Sequence, residues 1–564
     1  MNATAPGSAR RIGGRGRRRP GPGSLAVALA AASVLGGLHS LSFAADGRWW
    51  LQLGALASLV WLLHGASVGQ AAAQGLVFGT AWLTGSVWWL FISMHRYGGL
   101  PAWMAALAVL LLSAFMAVFL AAAMAAFARW RAGRPLRDAL LLAALWLLAE
   151  LARGALFTGF PWAASGYAHV EGPLANLAPW LGVYGIGFAA ALLVAVPALA
   201  WADVAGVART GVGAGAPSGP RTGAGGVVDA DSGRLPARRA AFATLGVAAV
   251  LALLGWSPPA AFTQPSGALN VSLLQGNVPQ DEKFSIAHLP DALAWTRAAL
   301  LAAKGELVIG PETVVPLLPS QLDPAYWSEL LAHFRTGQRA ALVGLPLGDE
   351  VLGYTNSVAG ISAASAAEPG GFYRYDKHHL VPFGEFIPPG FRWFTEMMNI
   401  PLGDFNRGVL GAPTFAVRGE RVAPNICYED LFGEELAVGF ADAATAPTIL
   451  ANVSNIGWFG QTIAVGQHLA ISRMRALELQ RPMLRATNTG ATVVIDHRGI
   501  VTHSLPPHTQ GVLEATVQGR TGITPFAWWA ARGGLGLPAL LAAALVLAVA
   551  WRSPARARPR SGTH

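Results

Sequence analysis

Apolar residues fall along this chain in two regimes. Up to residue 256 they form long runs, over about 24–43, 49–67, 70–93, 102–128, 137–157, 175–202 and 239–256, and a further run covers about 527–551. A helix of about 20 apolar residues crosses the ~30 Å hydrocarbon core of a bilayer. The pattern therefore predicts seven transmembrane helices in residues 24–256 and an eighth at 527–551. Between 268 and 518 the regime changes. Short β-like runs such as Leu269–Leu274, Leu307–Ile309, Ala341–Val343, Thr448–Leu450 and Ala491–Ile495 alternate with helix-like stretches such as Ala464–Gln480. That alternation predicts an α/β domain, placed at residues 257–526.

Composition agrees with a chain that lies partly in lipid. Of 564 residues, 53% are hydrophobic and 12% charged, with mean hydropathy +0.43; a soluble globular protein carries about twice that charged fraction. The net charge of +10 changes the picture only through its placement. Arginines crowd residues 1–23, the loop holding Arg129, Arg131, Arg134 and Arg137, the Gly- and Pro-rich linker 203–238, and the tail 552–564. Basic clusters beside apolar spans mark the cytoplasmic side, so no nucleic-acid partner is expected. All four segments share one side if seven spans precede the α/β domain and one follows it, which puts residues 257–526 on the outer side. The tails and the linker 203–238 are expected to be disordered. A signal peptide cleaved near Ala44–Ala45 is the alternative for the first run; the spans that follow make a retained helix simpler.

The chain has a single cysteine, Cys427, so an intrachain disulfide and a cysteine-based metal site are both excluded. Three short motifs in the α/β region carry candidate chemistry. Gly310-Pro311-Glu312-Thr313 puts a carboxylate on a turn directly after a strand. Tyr375-Asp376-Lys377-His378-His379 holds one of only three lysines among forty basic residues, where a compact ammonium stands in an Arg-biased chain. Asn425-Ile426-Cys427-Tyr428-Glu429 holds the thiol. Singly, each has an ordinary explanation: a solvated loop carboxylate, a surface lysine, an inert buried cysteine. Adjacent histidines without further ligands at helical spacing read as structural. Glu150 and Arg153, one helical turn apart within a span, read as an ion pair holding helices together.

Together the carboxylate, ammonium and thiol, in the order Glu, Lys, Cys, resemble the nitrilase superfamily. The surrounding sequence is similar to its membrane-bound branch, the apolipoprotein N-acyltransferases. The resemblance runs through Gln275-Gly276-Asn277-Val278-Pro279-Gln280, Tyr354-Thr355-Asn356-Ser357, Lys377 to Glu385, Cys427-Tyr428-Glu429 and Asn452-Val453-Ser454-Asn455. It continues through Trp458-Phe459-Gly460, Gln467-His468-Leu469, Arg473 to Glu478 and Arg481 to Asn488. In the membrane part it takes in Glu150, Arg153, Thr158 to Trp162, Gly166-Tyr167 and Gly182 to Gly185. Two positions depart from it: Phe284 stands where the family often has Trp, and no acidic residue flanks Trp458.

The resemblance implies a polytopic helical membrane protein with an inserted nitrilase-like α-β-β-α sandwich. It implies Glu312 as general base, Cys427 as nucleophile and Lys377 as the oxyanion-stabilising cation. Glu385 would orient Lys377 or support the oxyanion site, Tyr428 and Glu429 would shape the pocket, and Trp458 would contribute to substrate binding. The implied reaction passes an acyl chain from a phospholipid, through a Cys427 thioester, to the N-terminal amine of a diacylglyceryl apolipoprotein, at the outer face of the bacterial inner membrane and without metal or organic cofactor. A dry site is expected to raise the pKa of Glu312. The apolar segment 386–405, with Phe386, Ile387, Phe391, Trp393, Phe394, Met397, Met398 and Ile400, is expected to face the membrane as a lid; core packing is the other reading. A membrane-tethered amidase and a transporter with an outer ligand-binding domain are the competing functions.

Overall fold

The computed structural model describes residues 22–44, 47–212, 234–393 and 404–551. The basic tails, the middle of the linker and residues 394–403 of the apolar segment lie outside that description.

Among the described residues, five helical segments are long and apolar enough to cross a bilayer: Ser24–Phe43, Ala102–Trp130, Pro135–Thr158, Pro173–Ala205 and Pro236–Trp256. The run at 70–93 becomes the helix Val68–Val87 followed, after a 63° bend, by Leu90–Tyr97. The run at 49–67 yields the shorter helix Trp49–Leu63. Small residues set the packing distance where water gives no drive to association: a side chain at Gly79 would stand 2.9 Å from the Ala117 methyl of the neighbouring helix.

Two expectations change. The helix that begins at Ala178 continues to Val212, and the next begins at Arg234, so helix enters both ends of the segment expected to be disordered. The run at 527–551 is also not one helix. It divides into Pro525–Gly533 and Gly536–Trp551, bent by 89°. Phe526, Ala527 and Ala530 of the first piece pack beneath a sheet of the α/β domain, against Met483 and Val493. The second piece is 16 residues, or about 24 Å of helix.

The α/β domain has two six-stranded sheets. One has the order β12 (Gly511–Thr521), β1 (Gln264–Gln275), β2 (Leu307–Ile309), β3 (Ala340–Asp349), β4 (Gly353–Ile361) and β5 (Tyr373–Asp376). The other runs β11 (Val501–Ser504), β10 (Val493–Ile495), β9 (Met483–Thr487), β8 (Ile449–Ser454), β7 (Glu420–Ile426) and β6 (Phe415–Val417). The sheets face each other through Val271, Leu307, Ile309 and Leu342 of the first, packed against Val422, Ile449, Ala451 and Leu484 of the second. Helices Leu289–Ala302 and Pro324–Thr336 cover the outer face of the first sheet through Leu300, Leu330 and Phe334. Helix Ile463–Leu479 covers the second through Ala476 and Leu479. This is the α-β-β-α sandwich. Strands buried on both faces read as unbroken apolar runs: Leu307 and Ile309 point between the sheets while Val308 points to the helices.

Candidate active site

The three motif residues all follow strand ends. Glu312 lies three residues beyond β2, Lys377 directly follows β5, and Cys427 directly follows β7. The Glu312 turn lies tight against β3, where a side chain at Gly344 would stand 2.3 Å from the Pro311 carbonyl oxygen. Cys427 has φ 52°, a left-handed backbone that costs a non-glycine residue energy and persists only where its surroundings impose it. Two side chains hold its carbonyl oxygen: Asn452 Nδ2 and His468 Nε2, each at 3.2 Å. Arg485 Nη2 lies 2.7 Å from His468 Nδ1. An arginine only donates, so Nδ1 accepts and the ring proton sits on Nε2, facing Cys427 and Asp430.

Around the thiol the polar groups converge. Lys377 Nζ is 2.9 Å from Glu385 Oε1 and 3.3 Å from Glu312 Oε1. Asn356 Nδ2 donates to the same two oxygens, at 2.7 and 2.8 Å. The backbone N–H of Asn455 donates to Glu312 Oε2 at 2.8 Å, and the hydroxyl of its neighbour Ser454 donates to Cys427 Sγ at 3.3 Å. Glu312, Lys377 and Glu385 are buried, while Cys427 keeps some accessible surface.

Charge follows from these contacts. Burial pushes Glu312 toward its neutral form, but the Lys377 and Lys283 ammoniums, with the hydrogen bonds from Asn356 and Asn455, bring its carboxyl below the ordinary value. This corrects the expectation of a raised pKa: the site is dry, but it holds two cations. Burial alone would discharge Lys377, yet Glu385 and Glu312 outweigh it and hold the ammonium above the ordinary lysine value. Desolvation, and then the Glu312 charge, push the Cys427 thiol up to about 12. The arrangement is a protonated thiol beside an ionised carboxylate and a fixed ammonium. It can take a proton from sulfur as the sulfur attacks, and receive negative charge that develops on an oxygen.

The remaining candidates have other surroundings. Glu429 accepts from the backbone N–H groups of Ile426, His378 and His379 and from the Tyr375 hydroxyl, tying the Cys427 turn to the Lys377 loop. Tyr428 donates to the carbonyl of Gly159 in the membrane part. Trp458 is half-buried, its ring edge-on to Tyr97 at 5.7 Å. His378 Nδ1 meets the Gly408 carbonyl, and His379 lies between Glu435 and the Thr158 carbonyl. Glu150 and Arg153 are buried with 3.7 Å between them; Arg153 donates to the carbonyls of Phe160 and Trp162, and Glu150 accepts from the Ser165 N–H. They brace the segment that Tyr428 touches. Of the apolar segment, Phe391 and Trp393 are exposed.

Asn356, Ser454, Asn455 and His468 stand in the sequence only as members of motifs, with nothing in the spacing to give them a role. Lys283 stands there only as one of three lysines. Its scarcity is the one signal that could have found it, and that signal applies equally to Lys377.

Residues 35–196 match the family described as Apolipoprotein N-acyltransferase N-terminal domain, and residues 270–525 match the family described as Carbon-nitrogen hydrolase. An apolipoprotein N-acyltransferase of Verminephrobacter eiseniae is 52% identical over 534 residues, covering 91% of this chain and 93% of the relative. One from Ralstonia nicotianae is 45% identical over 526 residues, covering 92% of each. One from Bordetella bronchiseptica is 41% identical over 547 residues, covering 90% of this chain and 94% of the relative. The chain therefore belongs to the apolipoprotein N-acyltransferase family, and its second half is a carbon-nitrogen hydrolase domain joined to membrane helices.

Proposed function

We propose that this protein transfers an acyl chain from a phospholipid to the N-terminal amine of a diacylglyceryl apolipoprotein through a thioester on Cys427. As sulfur attacks the ester carbonyl, its proton passes to Glu312 and the developing oxyanion is met by Lys377, which Glu385 orients. The C–O bond breaks, the lysophospholipid oxygen takes the proton back from Glu312, and the acyl group remains on sulfur. The acceptor amine then attacks the thioester, gives a proton to Glu312, and the C–S bond breaks; that proton restores the thiol. No metal or organic cofactor takes part.

The observation that carries this reading is Lys377 Nζ lying between Glu312 and Glu385, at 3.3 and 2.9 Å, beside the strained Cys427 turn. That turn is joined to the membrane part through Tyr428 and Gly159, which favours a lipid acyl donor over a small soluble amide. In this reading the carbon-nitrogen hydrolase domain faces the periplasm from the inner membrane, with the basic segments in the cytoplasm. Incubation with a phospholipid labelled in its acyl chain tests it. Label on Cys427, chased onto a diacylglyceryl lipopeptide, is the expected result. Release of the label as free fatty acid would favour an amidase-type enzyme, and absence of any adduct would overturn the reading.

A further inference from the structure

The loop after β1 brings a second ammonium to the site. Lys283 is buried, with its Nζ 3.0 Å from the backbone carbonyl oxygen of Glu312 and 2.6 Å from Thr313 Oγ1. Thr313 has φ 45°, a conformation β-branched residues avoid, so the turn that presents Glu312 is strained and Lys283 grips both of its residues. The loop is itself anchored. Val278 N–H donates to Asn488 Oδ1, Asn488 Nδ2 donates to Asn455 Oδ1, and Asn455 Nδ2 donates to Gln280 Oε1. Asn455 is the residue whose N–H holds Glu312 Oε2. Lys283 and Asn455 thus grip Glu312 from two sides through one connected network.

We propose that Lys283 is a positioning residue for Glu312: it pins the strained Glu312–Thr313 turn and, by its charge, keeps the Glu312 carboxylate ionised. The inference rests on the thioester reading above, in which Glu312 is the base. The charged and titratable groups that face the pair are Lys377 from the end of β5, Cys427 from the end of β7, and Glu385. Asp281, on the loop of Lys283 itself, is paired with Arg96 at the surface. Burial brings Lys283 down to about 8, so its charge is present through neutral pH and fades above that.

The test is the single-turnover rate of Cys427 acylation against pH, in full-length protein in detergent with phospholipid, for wild type, Lys283→Met and Lys283→Gln. Met removes both hydrogen-bond donor and charge; Gln keeps a donor and removes the charge. An opposite charge a few ångströms away moves a carboxyl pKa by about one unit or more. The acid limb should therefore rise by about one pH unit in both variants, making Gln about tenfold slower than wild type on that limb. Gln should recover most of the rate near pH 8, whereas Met stays at least about tenfold slow throughout. A purely structural lysine would lower the rate without moving the limb. An acid limb unmoved in Gln, or a wild-type profile in Met, overturns the inference while leaving the thioester reading intact. Absence of a Cys427 adduct in wild type takes down both, and so separates the two failures.

Discussion

The Ser454 hydroxyl donates to Cys427 Sγ across 3.3 Å, and the next residue's N–H holds Glu312. The end of β8 therefore sets the Cys427 sulfur and the Glu312 carboxylate relative to one another. Ser454→Ala removes one hydrogen bond, of about 1 kcal/mol. The acylation rate should fall about fivefold with little change in thermal stability. An unchanged rate would show that the sulfur is oriented without it.

Lys377 has two carboxylate partners, so its shape matters as much as its charge. Lys377→Arg puts a planar fork where a compact ammonium fits between Glu312 and Glu385. Thioester formation, read by intact-protein mass spectrometry, should fall about 100-fold or more. Near-normal acylation in Lys377→Arg would mean that the oxyanion is stabilised by other groups.

The two halves of the chain are joined by a buried amide. Gln467 Oε1 accepts from Trp89 Nε1 and Trp162 Nε1, and its Nε2 donates to the Ser86 carbonyl. Trp89 Nε1 also donates to the Ser86 carbonyl at 3.0 Å, so Gln467→Leu strands the buried Trp162 Nε1, at about 1–3 kcal/mol, and leaves that second bond intact. The melting temperature in detergent should drop by a few degrees, and the carbon-nitrogen hydrolase domain should become easier to release by protease. An unchanged melting temperature would mean that the junction is held elsewhere.

Much of this was legible before any fold was known. Apolar runs mark helices because lipid demands them, and β2 and the start of β3 are visible because strands buried on both faces stay apolar. Glu312 stood out on a turn after a strand-like run, Lys377 as one of three lysines and Cys427 as the single cysteine, each in a motif with a family resemblance. Pairings between distant loops were not legible: no spacing rule brings Lys283 onto the Glu312 carbonyl, or Asn356 between two carboxylates. The lowering of Glu312 comes from Lys377, then from Lys283 and the hydrogen bonds of Asn356 and Asn455, and the last three were among those illegible pairings. The break at 534–535 was hidden for another reason. Phe526 and Ala530 are as apolar as a span requires, and only the sheet beneath them shows that they are buried in protein.

Topology is the prediction that the basic segments make. A periplasmic reporter fused at about residue 265, just ahead of the bulk of β1, should be active, and one fused at about residue 220 should be inactive. The opposite pattern would invert the membrane orientation and put the catalytic domain on the wrong side for a lipoprotein acceptor.

The pH dependence separates a base-assisted thiol from a free thiolate. Cys427 is pushed up to about 12, so at neutral pH the sulfur is protonated and the proton must leave during attack. Glu312 lies below the ordinary carboxylate value; its ionised, base-competent form is present above that pKa and is lost as pH falls through it. Acylation should therefore hold level through neutral pH and fall only in acid, below the ordinary glutamate range. A thiolate mechanism would instead climb about tenfold per pH unit toward the thiol pKa. Glu312→Gln removes the base and cannot ionise, so its residual acylation should lose the acid limb and rise with pH as thiolate becomes available. If wild type itself climbs across neutral pH, or if Glu312→Gln keeps the level profile, then Glu312 is not the group that takes the Cys427 proton.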